Sequence, residues 1–314
     1  MTDIEAKKIN RKVHPFISSS LCIALTIISV YFSGEIKDGI YQGLKFSFLT
    51  LIPTLFPFFI LSDLWGELFY VNPNGKISRG FEKIFMIGGS AVSAMICGMI
   101  FGFPVGAKAA MNLYSNGIID KDELERLCGF INIPSCAFVI SGVGSAILGE
   151  PGKGVLLYLG VILSAIITGM LFRGTRKNVH KENDNPGQTF NLAKSIVSAG
   201  VSSITVASCI AFFCGVISLV SKFVKKQYML LLIASILEIS NAVQLISKCN
   251  WCPTILRIML LSFALGFSGA SVHIQVLSLM PKEFSVKKYL SMKIFQGIAC
   301  AVISAILFSI STLA

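Results

Sequence analysis

Five polar side chains lie within or beside long apolar runs of this sequence, and their types are suited to binding a small solute or an ion. A charged side chain at the centre of a bilayer costs about 2.5–3.5 kcal/mol, so we expect these groups to face the protein interior. Because Glu238 and Asn241 are three residues apart, one helix would carry both on nearly the same face. Structural alternatives stay open, such as a Lys108 that snorkels to the membrane surface or a neutral His273 bound to a backbone carbonyl. The five candidate binding residues are Lys108, Glu238, Asn241, His273 and Gln275.

Glycine and proline interrupt the apolar runs at three places, residues 102–106, 132–135 and 266–271. A helix that breaks at mid-membrane exposes backbone N–H groups and about half a positive elementary charge at the new N-terminus, which suits an anionic or polar solute. Small residues also let a solute approach the backbone, although the same residues serve close helix packing. The candidate binding residues at the breaks are Gly102, Pro104, Gly106, Asn132, Ser135, Ser268, Gly269 and Ser271.

The composition places these breaks in a membrane protein. Of the 314 residues, 54% are hydrophobic and 14% are charged, whereas soluble domains carry about 25% charged residues. A water-soluble enzyme with one core is therefore excluded. The formal charge is +11, but the 27 lysines and arginines are spread along the chain. We therefore expect a lipid bilayer as the partner, with basic residues setting the orientation, and no nucleic acid.

An all-α fold of about eight or nine membrane segments is predicted, because a bilayer core about 30 Å thick needs about 20 apolar residues per helix. Basic residues from Lys7 to Lys12 precede the first segment, and no small-residue cleavage site follows it. We therefore predict a retained first helix with a cytoplasmic N-terminus. The candidate segments are residues 15–34, 44–71, 84–107, 130–149, 154–172, 204–220, 228–246, 255–280 and 289–313.

The distribution of positive charge conflicts with a full crossing by every segment. Five crossings from a cytoplasmic N-terminus would place the basic residues 173–181 outside, against the positive-inside rule. One of the first five segments is therefore expected to be re-entrant around a cavity, where broken backbone is tolerated. The glycine break of the first half recurs in the second, as expected for a transporter site between two structural repeats.

Two polar intervals divide the chain. In residues 114–126, Asp120 and Glu123 form a capping-box pattern, which predicts a short charged helix outside the hydrocarbon. The second interval is too polar to pack and predicts a linker. The predicted organisation is a basic segment with the first transmembrane helix (1–43), a first membrane half with a broken helix (44–172), a polar cytoplasmic linker (173–189) and a second membrane half with a second broken helix (190–314).

Motifs of catalysis are missing from the sequence. It has no His-Glu-x-x-His pattern, no Gly-x-x-x-x-Gly-Lys-Ser/Thr loop and no nucleophile elbow in a strand-turn-helix setting. We therefore expect no enzyme, no catalytic residue and no cofactor, and any transport would be passive or driven by an ion gradient. Cys249 and Cys252 have redox or metal spacing, but without a second pair or a nearby His no metal site is predicted.

The order of these motifs resembles that of sporulation integral membrane proteins of the YlbJ type, which belong to the nucleoside-recognition (Gate) domain group. The resemblance covers roughly residues 44–280, and the run Gly-Phe-Ser-Gly-Ala-Ser-Val-His-Ile-Gln is its most specific part. Ser268 stands where a second glycine is expected. The runs that carry the resemblance are residues 102–108, 130–144, 237–241 and 266–275.

The resemblance implies a multi-pass protein of the bacterial cell membrane, in the outer forespore membrane, that moves dipicolinic acid towards the forespore and is linked to the spore cortex. A small dianion fits the helix N-termini and basic groups of the predicted site. Two alternatives stay open. The Gate name suggests a nucleoside carrier or sensor, and the glycines would equally suit a non-transporting scaffold that recruits spore-envelope partners. Expected partners are therefore a small anionic or polar solute and either further copies of the chain or other spore-membrane proteins.

Overall fold

The computed structural model describes residues 15–68, 72, 75–174, 191–249 and 251–311. Within these ranges all regular structure is helical, which confirms the predicted all-α class. The predicted linker 173–189 lies almost wholly outside the described residues. The helices are α1 (Pro15–Tyr31), α2 (Ser33–Phe46), α3 (Ile52–Leu68), α4 (Lys76–Phe85), α5 (Ala91–Phe101), α6 (Val105–Ser115), α7 (Lys121–Ile131), α8 (Pro151–Leu171), α9 (Leu192–Phe223), α10 (Gln227–Leu237), α11 (Ile239–Ser247), α12 (Thr254–Phe267), α13 (Gly269–Leu279) and α14 (Val286–Ser311), with π-helical segments at Ser47–Leu51 and Ala137–Ser145.

Five helical units in the described part of the chain are long and apolar enough to cross a membrane. Shorter apolar helices add to them, and the chain is therefore a multi-pass membrane protein. The finer count of eight or nine segments stays a prediction. The five units are Ser33–Leu64, Pro151–Leu171, Leu192–Phe223, Thr254–Leu279 and Val286–Ser311.

The first of these units begins earlier than the sequence predicts. It starts at Ser33, whereas the second segment was expected at residue 44, so the predicted division after residue 43 falls inside α2. The charged residues at its start are helical because the helix packs on α9, where Lys222 forms an ion pair with Glu35.

An apolar stripe on α14 faces away from the protein. Ile294, Ile298, Val302, Ile306 and Ile310 are all exposed. Because they are four residues apart, they lie on one face of the helix. A comparable exposed stripe runs along α8. In a bilayer these stripes contact lipid tails.

Buried charges on α7 hold one end of the bundle together, which we call the charged end. The predicted N-cap forms, since Asp120 accepts a hydrogen bond of 2.8 Å from a backbone N–H in the first turn of α7. Arg126 donates to the carbonyl oxygen of Met86 at 3.0 and 3.1 Å, and Glu125 accepts from the backbone N–H of Ser285 at 2.9 Å. The helix is therefore packed inside protein, because its charged side chains find backbone partners on neighbouring segments.

Two pairs of short helices form antiparallel hairpins. In the α5–α6 hairpin, Gly98 and Gly106 touch across the turn, since a Cβ on Gly106 would lie 2.8 Å from the Cα of Gly98. In the α10–α11 hairpin, Leu230 near the start and Leu245 near the end line one cavity of about 300 Å³. Each hairpin therefore returns to the end of the bundle from which it starts.

The two hairpins open towards opposite ends of the bundle. The α5–α6 hairpin starts just after Gly88, whose N–H donates to Glu123 of α7 at the charged end. Helix α8 ends there too, because Gly174 lies beside Arg126. The end of α11 instead shares a cavity of about 490 Å³ with the starts of α8 and α12 and with Phe308 near the end of α14. We call this second end the far end.

Candidate functional site

Helical structure breaks at four places inside the bundle. The breaks lie at Gly102 between α5 and α6, at residues 132–135 after α7, at Glu238 between α10 and α11, and at Ser268 between α12 and α13. Three of them occur where the sequence predicts them, whereas the break at Glu238 was not predicted. Gly102, Ser268 and Gly269 have φ angles of 72°, 77° and 74°, a region that favours glycine.

The breaks contact one another in pairs. The N–H of Phe103 donates to the carbonyl oxygen of Ile133 at 2.9 Å, and a Cβ on Gly102 would lie 2.7 Å from the same oxygen. In the second half, a Cβ on Gly269 would lie 3.3 Å from the carbonyl oxygen of Leu237 and 3.4 Å from the Cα of Glu238. Backbone therefore packs directly on backbone in both halves of the chain.

A small central cavity lies where the four breaks meet. Its volume of about 20 Å³ is room for about one water molecule, so the cavity is closed to an organic solute in this conformation. The two predicted glycine breaks thus reach the same cavity. The polar or break-associated residues that line it are Phe103, Ser135, Glu238, Ser240, Ser271 and Gln275.

Glu238 caps helix α11. Its two carboxylate oxygens accept hydrogen bonds from the backbone N–H groups of Ser240 and Asn241 at 2.9 and 2.7 Å, and its side chain is fully buried. The expectation that Glu238 and Asn241 share one face of a continuous helix is wrong, because Glu238 is extended and ends the preceding helix. Asn241 instead donates to the Sγ of Cys214 at 2.6 Å and lines the 300 Å³ cavity.

The first turns of α11, α13 and the second π-helical segment line the central cavity, and α6 begins two residues after the lining residue Phe103. Glu238 neutralises the N-terminus of α11, and Ser135 accepts from the N–H of Phe138 at the start of the second π-helical segment. Within the described residues no side chain caps α6 or α13. The N-termini of α6 and α13 therefore keep their partial positive charge, which suits an anion.

A buried chain of hydrogen bonds lies behind the cavity. His273 Nδ1 is 2.9 Å from the Tyr289 hydroxyl, which also accepts from Asn132 Nδ2 at 3.2 Å. Lys293 Nζ donates to the carbonyl oxygen of Asn132 at 2.8 Å and to Gln296 Oε1 at 2.6 Å. Tyr289, Lys293 and Gln296 were not predicted as site residues. The sequence did contain one signal for these residues, because Lys293 lies inside the predicted membrane segment 289–313, where a charged side chain costs free energy.

Other predicted residues lie apart from the cavity or serve packing. Lys108 is half exposed, with Nζ 3.8 Å from Asp63 Oδ1 and 3.2 Å from Ser198 Oγ. It does not line the central cavity. Pro104 directly precedes α6, and Gly106 allows the close approach of the two α5–α6 helices.

Several buried polar side-chain atoms near the breaks have no hydrogen-bond partner among the described residues. Among them are Asn132 Oδ1, His273 Nε2 and Gln275 Oε1. Buried polar atoms are normally paired with protein, water or ligand, so these atoms are free to bind water or a solute. In the same described ranges, no group of three or more His, Cys, Asp or Glu residues has an arrangement that could hold a metal ion. Cys249 and Cys252 are buried free thiols.

Long apolar helices, lipid-facing stripes and a central cavity between broken helices define a polytopic α-helical membrane protein. Over 95% of its length the chain is 24% identical to the sporulation integral membrane protein YlbJ of Bacillus subtilis (strain 168), and the similar region covers 83% of that relative. This similarity confirms the predicted resemblance to the YlbJ type. No family model and no solved structure matches the chain. The Gate group stays a prediction.

Proposed function

We propose that the chain is a transporter of spore formation that moves a small anionic metabolite across the membrane around the forespore, and that it has no catalytic activity. The central cavity between four helix breaks is the observation that carries this proposal. The uncapped N-termini of α6 and α13 offer positive partial charge to two carboxylates of one solute. Dipicolinate, a rigid dicarboxylate, is therefore the first candidate, and the similarity to a sporulation membrane protein supports the same choice.

The proposed topology has two halves of opposite orientation. Each half would contain a hairpin, α5–α6 or α10–α11, followed by a broken crossing and a long helix, α8 or α14. Because the α5–α6 hairpin would not cross, the end of α8, which precedes the basic residues 173–181 in the sequence, would lie on the same side as the start of α1, in agreement with the positive-inside rule. The charged end then faces the cytoplasm. Inverted halves of this kind place a transporter's substrate site at their interface.

Movement of a solute requires the central cavity to open, since it holds about one water molecule. Ser240 lines both this cavity and the 300 Å³ cavity beside the α10–α11 hairpin. The second cavity is partly polar, with Asp38, Gln42 and Gln244 among its lining residues. A shift of the hairpin would therefore connect the site to the far end. Access from the charged end would follow from the equivalent movement of the α5–α6 hairpin.

A nucleoside carrier or sensor is the second candidate. The buried Gln275 Oε1 has no partner among the described residues, and an acceptor of this kind favours a solute that donates hydrogen bonds. The hydroxyls of Ser240 and Ser271 lie on the same cavity and would suit a ribose. If the chain is instead a non-transporting scaffold, no solute binds in the central cavity.

Uptake by reconstituted protein tests the proposal. Ser271→Leu fills the central cavity, so we expect dipicolinate uptake to fall to the level of empty vesicles. Ser278→Leu makes the same change at an exposed position in the last turn of the same helix, and this control is expected to keep wild-type uptake. Equal uptake by the two variants would refute the cavity as the site. Binding of nucleosides alone, measured as a thermal shift, would favour the second candidate.

A further inference from the structure

Helix α14 carries a lysine that is fully enclosed by protein. Lys293 has an exposed fraction of 0%, and within the described ranges its Nζ donates to two oxygen atoms of the amide type, the carbonyl of Asn132 at 2.8 Å and Gln296 Oε1 at 2.6 Å. Gln296 in turn donates to the carbonyl oxygen of Phe130 at 3.3 Å. Among the described residues no carboxylate forms an ion pair with Lys293. Its partners are therefore the backbone carbonyl that follows the end of α7 and the amide oxygen of Gln296, which is itself bound to α7.

These oxygen atoms form the type of site that holds a coupling cation in transporters with broken helices. The C-terminus of a half-helix carries a negative partial charge of about half an electron. In such transporters its unwound carbonyls coordinate Na⁺. Here α7 ends at Ile131 and the carbonyl of Asn132 follows. The Nζ of Lys293 lies where that cation would bind.

We infer that Lys293 is a built-in cation which replaces a coupling sodium ion at the end of α7. The role in coupling rests on the proposed transport function, whereas the cation site itself does not. Asn132 also donates to Tyr289, which is hydrogen-bonded to His273 of α13. Lys293 thus holds the break after α7 in place. Through Asn132 and Tyr289 it also positions the side chain of His273, which follows the break between α12 and α13. The protein arranges both breaks without an alkali cation.

Replacing sodium with choline tests the wild-type protein directly. We expect the thermal midpoint in detergent and the affinity for dipicolinate to be the same in NaCl and in choline chloride. Uptake into vesicles is likewise expected to proceed without sodium. A midpoint or an affinity that rises with sodium would overturn the inference.

Truncation of the lysine supplies the second test. Lys293→Ala removes the side chain from Cγ to Nζ, so added methylammonium or Na⁺ should raise the thermal midpoint of this variant, whereas choline, which is too large, should not. We expect its affinity for dipicolinate to fall about tenfold to a hundredfold, as for the loss of a hydrogen bond to a charged group. Lys287→Ala on the exposed side of α14 is the matched control and should respond to no cation.

The two tests separate this inference from the proposed function. A Lys293→Ala protein that gains no stability from methylammonium or sodium overturns the built-in cation. If Lys293→Ala does not fold, the sodium test on the wild type still decides. A wild-type protein that neither binds nor moves dipicolinate, but is insensitive to sodium and has an amine-responsive Lys293→Ala variant, overturns the proposed solute and leaves the cation site standing.

Discussion

Replacing Glu238 with glutamine changes the charge of the central cavity while keeping the shape of the side chain. In the wild type, both carboxylate oxygens accept hydrogen bonds from backbone N–H groups of α11, at 2.9 and 2.7 Å. A glutamine offers one acceptor oxygen, so its NH₂ group must face the second N–H. Glu238→Gln therefore removes one hydrogen bond and the negative charge at the N-terminus of α11.

The expected loss of stability follows from these two contributions. A hydrogen bond to a charged group contributes about 1.5–3 kcal/mol, and a charge at a helix N-terminus contributes about 0.3–1 kcal/mol or more when buried. We therefore expect the free energy of unfolding to fall by about 2–4 kcal/mol. For a chain of this size that corresponds to a decrease of roughly 3–6 °C in the thermal midpoint.

Thermal unfolding of the purified protein in detergent measures this effect, and Glu150→Gln is the matched control. Glu150 also precedes a helix, α8, but its side chain is exposed and pairs with Lys153 at 2.7 Å. An exposed ion pair contributes about 0.2–1 kcal/mol, so the control midpoint should hardly change. The same Glu238→Gln protein should bind dipicolinate more tightly, because a like charge leaves the cavity, whereas the affinity for a neutral nucleoside should not increase. If Glu238→Gln is as stable as Glu150→Gln, the capping role of Glu238 is refuted.

Three further predictions concern the breaks and the charged end. Gly102→Ala should lower the free energy of unfolding by about 2–4 kcal/mol, because its φ of 72° and ψ of −159° are accessible almost only to glycine and its Cβ would overpack against the neighbouring backbone. Chemical denaturation of the purified protein measures the change. Unaltered stability would contradict the geometry. Ser268→Gly should keep or raise the thermal midpoint, since glycine adopts the φ of 77° without the roughly 1–2 kcal/mol cost of a side chain, and a lower midpoint would show that the serine hydroxyl matters more than the backbone. Burial raises the pKa of the Asp122 carboxyl, but hydrogen bonds from Lys288 and Arg126 outweigh it and hold that pKa below its ordinary value. Because the folded-state pKa is lowered, the stabilisation is present above the ordinary pKa of about 3.9 and is lost as the pH falls through the folded-state value. Asp122→Asn should therefore lower the free energy of unfolding by about 0.2–1 kcal/mol at pH 7 and leave it unchanged at low pH. Thermal midpoints measured across this pH range would show the difference.

Helix breaks were predictable where the sequence contains residues that disfavour a helix. Gly102, Pro134 and Gly269 mark three of the four breaks. The fourth lies in the run from Leu230 to Asn241, which contains neither glycine nor proline. There the break depends on Glu238, which ends one helix and caps the next. Glutamate is not among the preferred N-cap residues, so local sequence signals did not reveal it.

The composition of the site was less predictable than its position. Ser135, Glu238 and Ser271, three of the predicted binding residues, line the cavity because they lie at or within three residues of a break, and Gln275 lies one turn further along α13. Lys108 also follows a break, but it points to Asp63 on a neighbouring helix, and such a partner is set by packing between helices. For the same reason the contact of Lys293 with the end of α7 could not be found, since the two are far apart in the sequence.

The hydrogen bonds from α14 to the end of α7 have a consequence for biogenesis. Lys293 and Gln296 bind the carbonyls of Asn132 and Phe130, so the first half of the molecule is completed by a helix whose Lys293 lies 161 residues further along the chain than Asn132. Assembly in the membrane therefore cannot proceed strictly from the N-terminus to the C-terminus. A chain that stalls before residue 286 would leave the carbonyl oxygens of Asn132 and Phe130 without these partners inside the bilayer, where an unpaired polar group is costly.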